Sequence, residues 1–217
     1  MATSRGAWPH YYTLGLDYRS DPQGREAYGI YALKQELIYN NFAKGVVSVL
    51  PYWGKSAVAQ TKNAQKFFGI QMDGVLGPET ARYLFRKRLA EQKNGDLLSQ
   101  IKSLESDNDP VAQGYEDLDD EGLFQENLPS NPDLTQVQCW TPSFIVPHAA
   151  SQLASRIKSC GSKKAGVAGW NIGNEYATEW RKAGYPASGK IVEVDGEQID
   201  MFARATTYYA DVTKQAL

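Results

Sequence analysis

The run Leu97-Leu98-x-x-Ile101-x-x-Leu104 sets its apolar residues at helical spacing and meets Asp109-Pro110 shortly afterwards. Apolar residues recurring every three or four positions form one stripe, and such a stripe needs a surface to bury it. Proline lacks an N–H and disfavours the helical region for the residue before it, so this helix cannot continue past Asp109. Stripe and stop together put Glu105 in the last turn, at the edge of the stripe, on the face that carries Leu97 and Ile101. A carboxyl there is partly withdrawn from water and sits at the negative end of the helix dipole. From Ser103 to Ser155 the chain has ten Asp or Glu residues and no Lys or Arg. Burial, dipole and like charge are each expected to raise the pKa of Glu105. A glutamate kept protonated near neutral pH is what a general acid requires. Helix spacing alone favours the plainer reading, an exposed glutamate closing a surface helix.

The rest of the chain is read around that helix. Its 217 residues have room for one large domain or two small ones. No stretch approaches the roughly 18 apolar residues of a membrane span, so no membrane insertion is expected. A net charge of −2 gives no basic footprint for nucleic acid. Arg82, Arg86, Lys87, Arg88 and Lys93 cluster ahead of the acidic half, as a solvated helix face or as an attraction for an anionic polymer. The start, Met1 to His10, lacks the apolar core of a secretory signal. Cys139 and Cys160 are compatible with a disulfide or with free thiols, and spacing does not decide. His10 and His148 do not stand at ligand spacing from the cysteines, so no structural zinc and no other metal is expected. His148 is expected to serve packing.

In chain order, residues 1–24 read as an irregular, aromatic-rich segment. A helix is predicted from Arg25, with Tyr28, Tyr31, Ala32, Leu37, Ile38 and Phe42 on its apolar side. Leu50-Pro51-Tyr52-Trp53-Gly54 breaks the chain, and Ser56 is a candidate N-cap for the next helix. Ala57, Thr61, Ala64 and Phe68 share a face there, and Gly69 stops it. Asp73-Gly74 predicts a tight turn, and Gly77-Pro78 the start of a helix buried through Ala81, Leu84, Phe85 and Leu89. Asn94-Gly95 marks a junction, with Asp96 as a possible N-cap of the helix bearing Glu105.

Beyond Glu105, the segment Glu116-Asp117-Leu118-Asp119-Asp120-Glu121 is acidic. It lacks the spacing of a Ca²⁺ loop; it reads as a solvated loop or as the source of a second catalytic carboxylate in Asp119, Asp120 or Glu121. Gly122 lets backbone approach a ligand closely, and Gln125 and Asn127 supply neutral amides. A helix is expected from about Phe144 to Ile157, a flexible link at Gly161–Gly166, and a helix opening at Val167-Ala168-Gly169-Trp170-Asn171. Residues 200–214 read as a closing helix with Met201, Ala205, Tyr208 and Val212 in line.

Taken in order, Glu105-Ser106 with Pro110 and Ala112, Gly122-Leu123-Phe124-Gln125, Ala168-Gly169-Trp170-Asn171-Ile172-Gly173 and Tyr208 resemble the soluble lytic transglycosylases of the lysozyme-like superfamily. That family reads E-S-x-x-x-P-x-A, G-L-M-Q, A-Y-N-A-G and a late tyrosine. The chain departs from it at several positions. Trp170 stands where the family has tyrosine, and the acidic run replaces a small S-x-x-G-A segment. The resemblance covers roughly the C-terminal 120 residues. It implies cleavage of the β-1,4 bond between N-acetylmuramic acid and N-acetylglucosamine in peptidoglycan glycan strands, without a cofactor. Glu105 would be the catalytic acid, with Ser106, Gln125, Asn127, Trp170, Asn171 and Tyr208 around the substrate.

The stretch Gln65 to Thr80 resembles a three-helix peptidoglycan-binding module, whose pattern is A-V-x-x-F-Q-x-x-x-G-L-x-x-D-G-x-x-G-P-x-T. Gly69, Ile70, Asp73, Gly74, Gly77, Pro78 and Thr80 match it, and either Gln65 or Phe67–Phe68 fills the F-Q position. These resemblances imply a mainly α chain of two domains, a wall-binding module at 1–90 and a lysozyme-like catalytic domain at 96–217. Asp73, Gly74 and Gly77 would belong to the wall-binding element. A wall-cleaving enzyme without a secretory signal suits a bacteriophage protein, made in the host cytoplasm and acting on the wall from the periplasm or from the virion. A chain carrying its own binding module needs no partner chain, and a monomer is expected. The alternatives are a hydrolytic muramidase that uses a second carboxylate and a non-catalytic wall-binding virion protein.

Overall fold

The computed structural model describes residues 18–19, 25–43, 52–113, 120–194 and 196–214. The protein is mainly helical. Among the described residues no helix is long and apolar enough to cross a membrane. Its contacts divide it into two compact units, one of Met1–Glu91 with Glu105–Val146, the other of Gln92–Leu104 with Pro147–Leu217.

In the first unit, strand β1 (Tyr18–Arg19) pairs antiparallel with β2 (Tyr52–Trp53), with Tyr18 opposite Trp53. Helix α1 (Arg25–Tyr39) packs on α2 (Lys55–Phe68) and α3 (Pro78–Leu84), and the short α4 (Arg86–Ala90) follows directly. The buried positions Ala27, Ile30, Leu33 and Leu37 recur at helical spacing along α1. On the facing helices Ala64, Ala81, Leu84 and Leu89 are buried as expected. Backbone groups, not the expected side chain, start α2. Gly54 is its N-cap, and the Ser56 hydroxyl instead accepts from Gln60 Nε2 at 3.2 Å. Gly69 ends α2 in the left-handed conformation, and Gly77-Pro78 begins α3 with proline in its first turn. The predicted helix through Leu89 breaks at Phe85, which caps α3 and precedes α4.

Two features tie α4 to α1. Arg88 Nη2 lies 2.7 Å from Glu36 Oε1, and Lys87 Nζ donates to the Tyr39 carbonyl at 2.9 Å. Both cations also stand over the Tyr39 ring, and the Tyr39 hydroxyl donates to Glu91. Arg88 therefore works inside the fold, whereas Arg82, Arg86, Lys87 and Lys93 are exposed, as expected of a solvated face. The unit is completed by β3 (Asp120–Glu121), β4 (Glu126–Asn127) and α6 (Gln136–Cys139). Tyr28 of α1 packs against Trp140 just beyond α6, with ring centroids 5.3 Å apart. The N-terminal helix and the hairpin segment thus share one core.

Helix α5 (Gly95–Ser106) begins one residue ahead of Asp96, with Leu98 N–H bonded to the Asn94 carbonyl at 3.1 Å. Asp96 is thus inside the first turn and is not the N-cap. Most of α7 (Pro142–Cys160) belongs to the second unit; the helix is longer at both ends than predicted and contains Pro147. Helix α8 (Lys163–Lys182) starts inside the expected flexible link, because the Ser162 hydroxyl accepts the Ala165 N–H at 3.0 Å and caps it. Gly173 interrupts α8 with a non-helical backbone. A hairpin of β5 (Ile191–Val194) and β6 (Glu197–Asp200) leads into α9 (Met201–Lys214). Asp200 caps α9 by accepting from Phe202 and Ala203 N–H at 3.0 and 3.1 Å, and these backbone donors hold its carboxyl below the usual range. Ala165, Ala168, Ile172, Trp180, Phe202 and Ala205 form the core between α8 and α9.

Candidate functional site

Glu105 is the last residue but one of α5 and is only 6% exposed. The buried residues of this helix are Leu98, Ile101, Lys102, Glu105 and Ser106, while Leu97 and Leu104 are half-buried. The inward face is therefore turned slightly from the predicted one. Glu105 falls in line with Leu98 and Ile101, not at their edge. Lys102, one turn earlier on the same face, is fully buried. It lies one residue outside the acidic interval read from the sequence, so the helix face that carries Glu105 is not purely anionic. A lysine is almost never fully buried without a partner. Its position four residues after Leu98 and three before Glu105 was the signal that could have found it.

After α5 the chain reverses through Asp107 and Asn108, both at positive φ, a conformation that Asp and Asn reach more readily than most side chains. Asp109 fixes the reversal, its N–H bonded to the Ser106 carbonyl at 3.0 Å and its Oδ1 accepting from Val111 N–H at 2.8 Å. Gln113 then bridges to Glu121 at the edge of the β3–β4 hairpin, in which Asp120 is opposite Asn127 and Glu121 opposite Glu126.

Ser106 links helix and hairpin directly. Its buried hydroxyl donates to the Leu123 carbonyl at 2.9 Å, so the residue next to Glu105 holds the turn between β3 and β4. That turn starts at Gly122, whose φ is +77°. A Cβ on Gly122 would stand 2.3 Å from the Cys139 carbonyl oxygen, so the close approach requires glycine. The turn ends at Gln125, at φ +50°, whose Nε2 donates back to the Gly122 carbonyl at 3.0 Å. Within the first unit the structure thus brings Glu105, Ser106 and the turn carrying Gln125 into one connected element. Asn127 is used in shaping it, donating to Asp120 Oδ1 at 3.1 Å and accepting from Ser130 N–H at 3.0 Å.

The proposed second carboxylates fare differently. Asp119 lies outside the described residues. Asp120 is half-buried and accepts from Asn127. Glu121 is 1% exposed and is a structural hub. Its Oε1 accepts from Gln136 Nε2 at 2.7 Å and Gln113 Nε2 at 3.2 Å, and its Oε2 from Trp140 Nε1 at 2.8 Å. A carboxylate with both oxygens engaged by side-chain donors is poorly set to activate water. Burial, reinforced by the Glu126 and Glu121 carboxylates, pushes the Cys139 thiol up to about 12, leaving it a packing residue. Cys160 is likewise a buried, free thiol.

Trp170, Asn171 and Tyr208 belong to the second unit. Trp170 is half-buried, with the Arg156 guanidinium 5.4 Å from its ring centroid. Arg156 Nη1 also donates to the Gly169 carbonyl at 2.9 Å and to Asn174 Oδ1 at 3.2 Å, spanning the break at Gly173. Asn171 Oδ1 accepts from Arg204 Nε at 2.7 Å, which joins α8 to α9. Tyr208 is buried on α9, in line with Ala205 and Val212. The sequence reading missed Arg156 and Arg204, the two cations that orient this group. His148 is half-buried beside Gln152, its Nε2 2.9 Å from the amide nitrogen, and burial lowers its pKa.

The residues expected in the wall-binding element form a different kind of center. Gln65, 2% exposed, donates to Asp73 Oδ1 at 2.8 Å and to the Val75 carbonyl at 2.9 Å, and its Oε1 accepts Gly74 N–H at 2.9 Å. Asp73 also accepts Val75 N–H at 2.8 Å. Gln65, not Phe67–Phe68, is therefore the amide that holds the Asp73-Gly74 turn. Gly74 has φ +78°, and a Cβ there would meet Val58 Cγ1 at 2.8 Å. Asp73, Gly74 and Gly77 thus shape the chain between α2 and α3. Among the described residues no group of three or more His, Cys, Asp or Glu side chains is arranged to hold a metal ion. No family model matches the chain, and no curated protein matches it by sequence.

Proposed function

We propose that this protein is a peptidoglycan-cleaving enzyme of the lytic transglycosylase kind, with Glu105 as its catalytic acid and base. The observation that carries the reading is the pairing of a buried glutamate at a helix end with a neighbouring serine bonded to a glycine-turned hairpin. Burial of Glu105 keeps bulk water away from the carboxyl that would donate the proton. The engagement of Asp120 and Glu121 in holding the hairpin supports a scheme with one carboxyl over one that needs a second to activate water.

In this scheme Glu105 protonates the bridging oxygen between N-acetylmuramic acid and N-acetylglucosamine as the C1–O bond breaks. The N-acetyl group stabilises the developing oxocarbenium. The ionised Glu105 then takes the proton of the sugar's own C6 hydroxyl, whose oxygen closes on C1 to give a 1,6-anhydro end. Water is not consumed. Within the unit that holds Glu105, Gln125 on the hairpin turn is assigned to positioning the strand. A phage origin and action on the wall of the host complete the reading.

Glu105→Gln keeps the shape and removes the titrating proton. Its rate of clearing purified cell walls is expected to fall by about 10²-fold or more, the scale of general acid catalysis, with an unchanged circular dichroism spectrum. A folded variant that clears walls at the parental rate rules out the assignment.

A further inference from the structure

The fold does not account for the exposure of Phe67, two residues after Gln65. Phe67 is 76% exposed, the most exposed large apolar side chain among the described residues. It lies in an aromatic cluster, 5.5 Å from Phe42 and 5.6 Å from Phe68 between ring centroids, with Tyr83 stacked on Phe68 at 5.2 Å. Arg86 stands over the Tyr83 ring, 4.5 Å from its centroid. The cluster joins the end of α1, the end of α2 and α3 within a single unit. Leaving such a ring in water forgoes the stabilisation that its burial would give, and Phe67 stands beside the half-buried rings of Phe42, Phe68 and Tyr83, an apolar surface of the kind that marks a binding site.

Charge selects the occupant. From Lys55 to Ala90 the chain has seven Lys or Arg against two Asp or Glu, although the whole chain is net negative. Two of those cations, Lys87 and Arg88, are spent on α1, while Lys66, Arg82 and Arg86 remain exposed on the segments that carry Phe67 and Tyr83. Aromatic faces are negative at the ring and suit the C–H-rich faces of pyranose sugars, and the flanking cations suit carboxylates.

We propose that Phe42, Phe67, Phe68 and Tyr83, with Arg86, form a docking surface for peptidoglycan glycan strands, whose sugars carry lactyl and peptide carboxylates. This surface is separate from Glu105 and from the Asp73-Gly74 turn. The inference rests on the wall-cleaving reading for the identity of the polymer. It moves wall contact from the turn to the exposed ring cluster beside it.

The test is co-sedimentation of the full chain carrying Glu105→Gln with purified peptidoglycan sacculi, compared with the same chain carrying Phe67→Ser as well. Because Phe67 is largely in solvent, the second variant is expected to melt within a degree or two of the first. Its apparent affinity for sacculi is expected to fall about tenfold, as for a binding hot spot. Arg86→Gln is expected to weaken binding further and to flatten its salt dependence. Equal sedimentation with and without Phe67 overturns the inference and leaves the catalytic reading intact. So does wall clearing by the unsubstituted chain without sedimentation. A parent that neither sediments nor clears walls overturns both. Phe67-dependent binding of a single-stranded oligonucleotide, with none to sacculi, assigns the surface to nucleic acid and overturns the inference too.

Discussion

Gly122 carries the geometric demand next to the catalytic candidate. Alanine there must adopt φ +77° and bring its Cβ to 2.3 Å from the Cys139 carbonyl oxygen. The left-handed conformation costs about 1–2 kcal/mol and overpacking a further 1–3 kcal/mol. Gly122→Ala is therefore expected to lose stability on that combined scale, read as a lower urea midpoint. An unchanged midpoint means that the turn does not hold this shape. Single residues were legible where a local rule acts alone. The stripe before Asp109-Pro110 located the helix end and Glu105, and Gly77-Pro78 located a helix start. Lys102 was not, because charged residues on a helix are read as solvent-facing even where, as here, their spacing from Leu98 and Glu105 sets them on the inward face. Asp96 and Ser56 failed as caps for a related reason. Each helix begins one residue earlier than its expected cap, so both side chains lie inside the first turn, past the capping position.

The connection between α2 and α3 depends on one amide. Gln65→Leu keeps the volume but leaves Gly74 N–H without its partner and removes the amide donor to the Val75 carbonyl and the Thr80 hydroxyl. A loss of about 2–4 kcal/mol is expected from two or more broken buried hydrogen bonds. An isostable variant, judged by thermal melting, refutes that role. Between α1 and α4, burial raises the Glu36 carboxyl above its ordinary value of 4.5, and the Arg88 guanidinium offsets this only in part. Folding thus favours the protonated form. That contribution is complete below 4.5 and is lost as pH rises through the raised value in the folded protein. Glu36→Gln cannot titrate, so the melting temperature of the parent relative to this variant is expected to decline as pH rises from below 4.5 toward neutrality. A pH-independent difference contradicts it. Helices were readable from their apolar periods, whereas the hairpins were not. β3 and β4 are two residues long, too short for alternation to show. β5 and β6 did have a signal, an Ile191-Val192-Glu193-Val194 run ending at Asp195-Gly196, which a reading led by helices passes over.

For the molecule as a whole, the unit that contains α1 to α4 also contains Glu105–Val146, and the contact of Tyr28 with Trp140 belongs to its core. A pairing so distant in sequence leaves no trace in periodicity or turn chemistry, which is why a reading that cuts the chain at a turn signal does not find it. Trp140 also donates to Glu121, so the N-terminal helix bears on the carboxylate that holds the hairpin next to Glu105. The account predicts that one carboxyl, with no water consumed, cuts the glycan strand. Mass spectrometry of the muropeptides released from purified walls tests this most directly. The expected products end in 1,6-anhydro sugars, one water lighter than their hydrolytic counterparts, and are missing from the Glu105→Gln digest. Reducing-end products alone, or the same release from Glu105→Gln, would contradict it.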